Sequence, residues 1–383
     1  MPAQEPAPRP VRLELGVPGQ IMPPASAAVK FAQRAEADGF DAIWWPDHLM
    51  GWHPDSLWTP DLTPLAASQA NPHTYFDPLV MMGAIGAQTT RLRVGVVVTD
   101  LIRRHPAVLA QTMLTLDHLT EGRAICGLGS GEQLNVKPYG LPWDKPVARL
   151  AEGIEVIRRL WRADGPIDFE GRFFQLRKAV LGLSPFGDLS NAGPPIWTAA
   201  HGPRMLELTG RQADGWLPTK MTSDQYAASL KTIETAASEA GRDPGRITPG
   251  MLGYVLVGPD EETVQRLTEQ PLVRALCVLL PAAVFRALGV EPPLEGAGSG
   301  FHDFIPTEIG REEALRIVDA IPPAVVRHYA FCGTPEQVAA QLREYAAAGL
   351  RHLVMWNITA FGDPALARFS FGAMKELRTE LAR

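Results

Sequence analysis

"LRVGVVVTDLIRRHPAVLAQTMLTLDHLTEGRAICGLGSGE" occupies residues 92–132, and its reading decides the fold. Residues 92–99 form a valine-rich apolar run that reads as a strand. Pro106–Leu119 reads as a helix, and "AICGLG" (124–129) reads as a second strand. The strands do not alternate between apolar and polar residues. Strands of that kind, each followed by a helix, belong to a parallel sheet covered on its outer face.

The same unit recurs in both directions. Upstream lie "VRLELGV" (11–17), a helix over 24–38 and the strand "DAIWW". A loop over 49–76 holds four prolines, and an excursion of that length is usually kept for function. The helix after it starts with Asp77 as N-cap and Pro78 at the first helical position. Downstream come a helix over 146–161, a small hairpin in "IDFEGRFFQL", and the strand "PIWTAA" (195–200). A helix over 203–212, the strand "GWLPT" (215–219), a helix over 223–240 and the strand "MLGYVLVG" (251–258) continue the series. The eighth strand, "HLVMWNI" (352–358), lies between a helix over 335–348 and a terminal helix. Eight such strands predict an α/β fold, a (β/α)8 barrel over residues 11–383. Residues 269–333 do not fit the unit and read as an insertion between the seventh and eighth strands. The insertion either seals the barrel or roofs a pocket.

The 383 residues are 46% apolar and 20% charged, enough for a large core and too few charges for disorder. A formal net charge of −6 argues against nucleic acid or anionic membrane as partners and suits a small-molecule enzyme. Three scattered cysteines without a CxxC pair point to a reducing compartment, and we expect a cytoplasmic protein. "MPAQEPAPRP" lacks the apolar core of a signal peptide and reads as a disordered tail over residues 1–10. The most apolar segment, 271–290, is broken by Arg274, Pro281 and Arg286, so no membrane span is expected.

In barrels of this kind the working residues sit where strands end. The second strand ends in Asp47-His48. An imidazole there is a candidate general acid or base, since it titrates near neutral pH. A core-rim histidine with one hydrogen bond fits the position as well. Asp47 would bind a cofactor, orient the imidazole or cap the loop. Trp52, with Trp44, Trp45 and Trp58 near by in sequence, suggests a wall for a flat ring and an indole N–H donor.

"GLGSGE" (127–132) superficially matches a dinucleotide fingerprint. Glu132 stands where the third glycine belongs, and "QLNVKPYG" starts a helix poorly, so that fingerprint is rejected. The glycines more plausibly admit a flat cofactor to the backbone. Glu132 either points into the barrel mouth or is a solvated loop carboxylate. Gly202 and Pro203 open a helix whose free N–H groups, with Arg204, suit an anion. An ordinary βα turn looks the same in sequence. "LIRRHP" (101–106) reads as a solvated basic cluster. No Walker A lysine, HExxH or GxSxG occurs, and His53 and His73 lack zinc-ligand spacing.

"PDHL", "PAVLAQTMLTLDHLTEGRAICGLGSGEQLN" and "AAHGPRMLELTGRQADGWLPT" resemble the luciferase-like (β/α)8 superfamily, and within it the branch using coenzyme F420, a deazaflavin. The resemblance runs from about residue 12 to 220 and resumes at "FCGTPEQVAAQLREYAAAGLRHLV". "KPVARLAEGIEVIRRLW", "AASEAGRDPGRITP" and "AAHGPRML" are similar to the phthiodiolone ketoreductase type. The resemblance implies catalytic roles for His48, Trp52 and Glu132. It implies cofactor contacts at Asp47, Thr99, Ser130, Gly131 and Asn135, and a phosphate turn at His201, Gly202, Arg204 and Met205. It also places a non-prolyl cis peptide at Val97-Val98. It implies hydride transfer between F420 and a ketone or secondary alcohol on an apolar substrate, and a homodimer. A flavin mononucleotide (FMN) monooxygenase on the same fold is the alternative.

Overall fold

The computed structural model describes residues 12–187, 192–294, 300 and 304–381. The expected tail over 1–10 lies outside the described residues, as do 295–299 and 301–303 of the insertion. Twelve strands are described: β1 Glu14–Pro18, β2 Ala42–Trp45, β3 Arg93–Val96, β4 Thr99–Asp100, β5 Ala124–Gly129, β6 Ile167–Glu170, β7 Gln175–Ala179, β8 Ile196–Thr198, β9 Gly215–Trp216, β10 Thr248–Val257, β11 Ala330–Gly333 and β12 His352–Asn357. The ring β1-β2-β3-β5-β8-β9-β10-β12 is parallel throughout and closes where β12 pairs with β1, forming an eight-stranded barrel. β6 and β7 form the separate antiparallel hairpin.

Local chemistry sets the outer helices. Helices over Pro78–Gly86, Pro106–Leu119, Pro146–Arg162, Pro203–Gln212 and Pro335–Ala347 all open on proline, whose missing N–H costs nothing at the first position. Asp77 accepts from the N–H groups of Leu79 and Val80, and Thr334 forms a capping box with Gln337.

The strand expected over 92–99 is broken in two. β3 pairs with β2 and β5, the Val97–Val98 peptide is cis, and β4 resumes against the upper end of β5. The lower barrel interior is filled by Trp44, Trp197 and His352. The two indoles lie 5.4 Å apart, and Trp44 donates to His352 Nε2 at 3.1 Å. Gly95 makes room, since a Cβ there would stand 2.3 Å from the Trp44 ring. Only the upper interior is left for a ligand.

The insertion differs from the expectation at its end. Residues 330–333 form β11, parallel to the upper end of β10 from Tyr254↔Ala330 to Val257↔Gly333. Sequence alone hid it because the strand is four residues long and follows a helix, Pro323–Tyr329, directly. The rest of the described insertion packs on the proline-rich loop. Leu272, Ala275, Ala314 and Val318 cluster with Leu57 and Trp58. Ser56 donates to the Ile309 carbonyl at 3.1 Å, and Arg311 binds Asp61 and Thr59.

At this joint His53 donates from Nε2 to the Leu272 carbonyl at 3.1 Å. Burial pushes the His53 ring down to about 4; the Leu272 bond opposes the shift and the nearby His73 adds to it. The unfolded chain therefore takes up the proton first, near 6.5. Stability stored in the joint is complete above that pH and is lost as pH falls toward 4. Urea unfolding at about pH 7.5 and about pH 5 is expected to show wild type losing about 2 kcal/mol more than His53→Gln across that interval. Equal losses would contradict the joint.

Candidate active site

A cavity of about 700 Å³ opens at the C-terminal ends of the strands, within the range of ligand pockets. All fourteen residues singled out from the sequence line it: Asp47, His48, Trp52, Val97, Val98, Thr99, Ser130, Gly131, Glu132, Asn135, His201, Gly202, Arg204 and Met205.

β2 delivers Asp47 and His48 to the mouth. Asp47 is 5% exposed, and its carboxylate does not hold the imidazole. Arg104 donates to it at 2.9 and 3.2 Å, Arg103 at 3.3 Å, and Arg103 also binds the Asp47 carbonyl at 2.8 Å. Burial alone would raise the Asp47 carboxyl, but the Arg104 hydrogen bonds and both guanidinium charges outweigh it and hold the group below the usual range. The basic cluster expected to be solvated is thus a buried clamp, with Asp100 holding Arg103 Nε at 2.6 Å. Arg103 itself lines the cavity.

The imidazole is oriented from the loop after β5. Asn135, 1% exposed, accepts from the N–H groups of Leu49 and Met50 at 2.8 and 3.1 Å. Its Nδ2 faces His48 Nδ1 at 2.9 Å and donates to Glu132 Oε2 at 3.1 Å. His48 Nδ1 also lies 3.1 Å from the Met50 carbonyl and 3.7 Å from Glu132 Oε2. These contacts all use Nδ1 and leave Nε2 for a ligand. Glu132 points inward beside the ring with 29% of its side chain exposed.

Trp52 and Tyr75 flank the imidazole, with ring centroids 5.3 and 5.4 Å away. The buried Thr99 hydroxyl helps hold the Asp47 carboxyl down. The Trp52 indole N–H is buried and has no acceptor among the described residues. That missing partner is costly unless a ligand supplies it. The expected wall of tryptophans is corrected. Trp44 fills the lower barrel, Trp45 donates to the Gln20 carbonyl at 3.2 Å, and Trp58 donates to the Gln69 carbonyl at 2.6 Å. Trp356, not singled out from the sequence, lines the cavity instead.

The glycines of β5 press on the broken strand. A Cβ at Gly127 would stand 1.9 Å from the Val96 carbonyl oxygen, and one at Gly129 would stand 2.7 Å from Val98. Gly131 adopts φ +87, which favours glycine. On the far rim His201 Nε2 accepts from the Thr219 N–H at 3.1 Å. Gly202 caps the next helix without a side-chain bond.

Several lining residues went unmarked in the sequence: Tyr254, Tyr329, Lys220 and the insertion residues Leu279, Leu280 and Val284. Lys220 donates to the His328 carbonyl at 2.5 Å, and burial pushes its ammonium down to about 8. Among the described residues no cluster of three acidic, histidine or cysteine side chains could hold a metal ion. No helix there is long and apolar enough to cross a membrane.

The mouth of the parallel eight-stranded barrel joins a histidine, a carboxylate and an indole to a cavity lined by glycines. The chain belongs to the luciferase-like monooxygenase family, whose profile matches residues 8–352. It is 38% identical over 344 residues to the phthiodiolone/phenolphthiodiolone dimycocerosates ketoreductase of Mycobacterium bovis, covering 88% of each chain. It is 29% identical to the F420-dependent glucose-6-phosphate dehydrogenase of Nakamurella multipartita, over 91% of each. An F420-dependent secondary alcohol dehydrogenase in complex with an F420-acetone adduct shares the fold, with a TM-score of 0.75 at 22% identity over 97% of this chain and 99% of that one.

Removing one clamp residue leaves Asp47 with a single cation in a buried place. Arg103→Met is expected to cost about 3 kcal/mol in urea unfolding near neutral pH, part of it recovered when Asp47→Asn is added. A loss under about 0.5 kcal/mol, the level of an ordinary surface change, would contradict the clamp.

Proposed function

We propose that the chain is a coenzyme F420-dependent oxidoreductase interconverting a ketone and a secondary alcohol on an apolar substrate. The observation that carries this reading is the buried Trp52 N–H, without an acceptor among the described residues, next to an imidazole whose Nε2 has no partner among them. Together they are suited to a single oxygen atom.

The residues present fit a flat ring. Gly129 and Gly131 bring bare backbone to the cavity. Val97, Val98 and Ser130 would hold the ring, and Gly202 with Arg204 would hold an anionic part of the cofactor. When bound, the deazaflavin supplies or takes the hydride. The names of the ketoreductase and of the F420-dependent relatives support that choice.

The chain's own residues handle the oxygen and its proton. Trp52 donates a hydrogen bond to the carbonyl oxygen and steadies charge as it builds there. In its protonated form, His48 gives its Nε2 proton to that oxygen; in the oxidative direction the neutral ring with its proton on Nδ1 takes the hydroxyl proton back at Nε2. Glu132 faces the charged ring 3.7 Å from Nδ1 and, partly exposed, exchanges protons with solvent. Leu217, Leu252, Leu279, Leu280 and Val284 make the remaining wall apolar, which favours a hydrophobic substrate.

Kinetics with reduced F420 and a ketone series test the assignment. His48→Ala is expected to lower kcat by about 10²–10⁴-fold while F420 affinity stays within a few-fold. Turnover retained within a few-fold would overturn the role of His48.

A further inference from the structure

We infer that Asn135 sets the tautomer of His48, holding the neutral ring with its proton on Nε2, toward the cavity. The inference rests on the reading of His48 as the proton-transferring group, and it assigns Asn135 a role acting through that side chain rather than through a cofactor.

The Asn135 carboxamide has one orientation that satisfies its neighbours. Its Oδ1 accepts from two backbone N–H groups, of Leu49 and Met50. A rotated amide would set two donors against two donors in a buried place, so the orientation is fixed. Nδ2 must then donate. Glu132 Oε2 takes one hydrogen at 3.1 Å, and His48 Nδ1 stands at 2.9 Å to take the other. A ring nitrogen that accepts carries no proton, so the neutral ring bears it on Nε2.

The Met50 carbonyl, 3.1 Å from the same nitrogen, has the opposite requirement: it needs Nδ1–H. One ring nitrogen has one in-plane position, so the two partners exclude each other. The neutral ring is held by Asn135, and the charged ring turns its Nδ1 proton to Met50. Asn135 is thus partnered at Nδ1 by the neutral ring alone.

The proton balance follows. The charged ring breaks its Nε2–H bond as the substrate's O–H bond forms, leaving a neutral ring with its proton on Nδ1, against Met50. Recovery of the resting tautomer needs a proton to leave Nδ1 and one from water to reach Nε2. Glu132 Oε2, 3.7 Å from Nδ1, is the acceptor beside it. The other ionisable groups about the ring are Tyr75, tilted against it at 5.4 Å, and Asp47, whose charge Arg103 and Arg104 neutralise.

Nitrogen-15 spectroscopy of the histidine-labelled chain without cofactor, above neutral pH, tests this, with His48 assigned by the signal lost in His48→Gln. Wild type is expected to show the Nε2–H tautomer. Asn135→Ala removes the donor opposite Nδ1, leaves the Met50 carbonyl as its partner and is expected to show Nδ1–H. Nδ1–H in wild type, or an unchanged tautomer in Asn135→Ala, would overturn the inference. If the variant does not fold, the wild-type tautomer alone decides. The spectrum needs no cofactor, so failure of the F420 reading would leave its outcome intact.

Discussion

The site depends on one buried side-chain amide. Asn135 binds the backbone of Leu49 and Met50 through its oxygen and faces His48 and Glu132 through its nitrogen. It joins the loop after β2 to the loop after β5, segments more than eighty residues apart in sequence. A buried amide left without these partners would cost more than the bonds themselves contribute, so the two loops hold each other in register.

The rest of the barrel makes that joint useful. Trp44, Trp197 and His352 fill the lower interior, so the open volume lies at the level of the imidazole. The β5 glycines let the broken third strand lie against them without an intervening side chain. Arg103 and Arg104 neutralise Asp47 and fix the end of β2 just before His48. Above, the insertion and the proline-rich loop cover the mouth together, and the insertion adds apolar wall at Leu279, Leu280 and Val284.

Much of this was legible in the sequence. Unalternating strands, prolines opening helices and a histidine at a strand end are short-range signals, and the eight barrel strands follow from them. The long-range pairings were not legible. Arg103 and Arg104 look like a solvated cluster until Asp47, more than fifty residues away, comes between them. β11 is too short to announce itself. The tryptophans near His48 in sequence scatter in space, because successive strand residues such as Trp44 and Trp45 point to opposite faces. Lys220, Tyr254 and Tyr329 carried no motif; Lys220 directly follows the strand expected over 215–219, and that strand-end position was its one signal.

The central claim is that a deazaflavin lies in this cavity against the Trp52–His48 pair. Parallel equilibrium titrations of the purified chain with F420 and with FMN, followed by cofactor fluorescence, test it most directly. The account predicts saturable quenching of F420 at one equivalent per chain, undisturbed by excess FMN. Tight FMN binding with F420 fluorescence unchanged would contradict it.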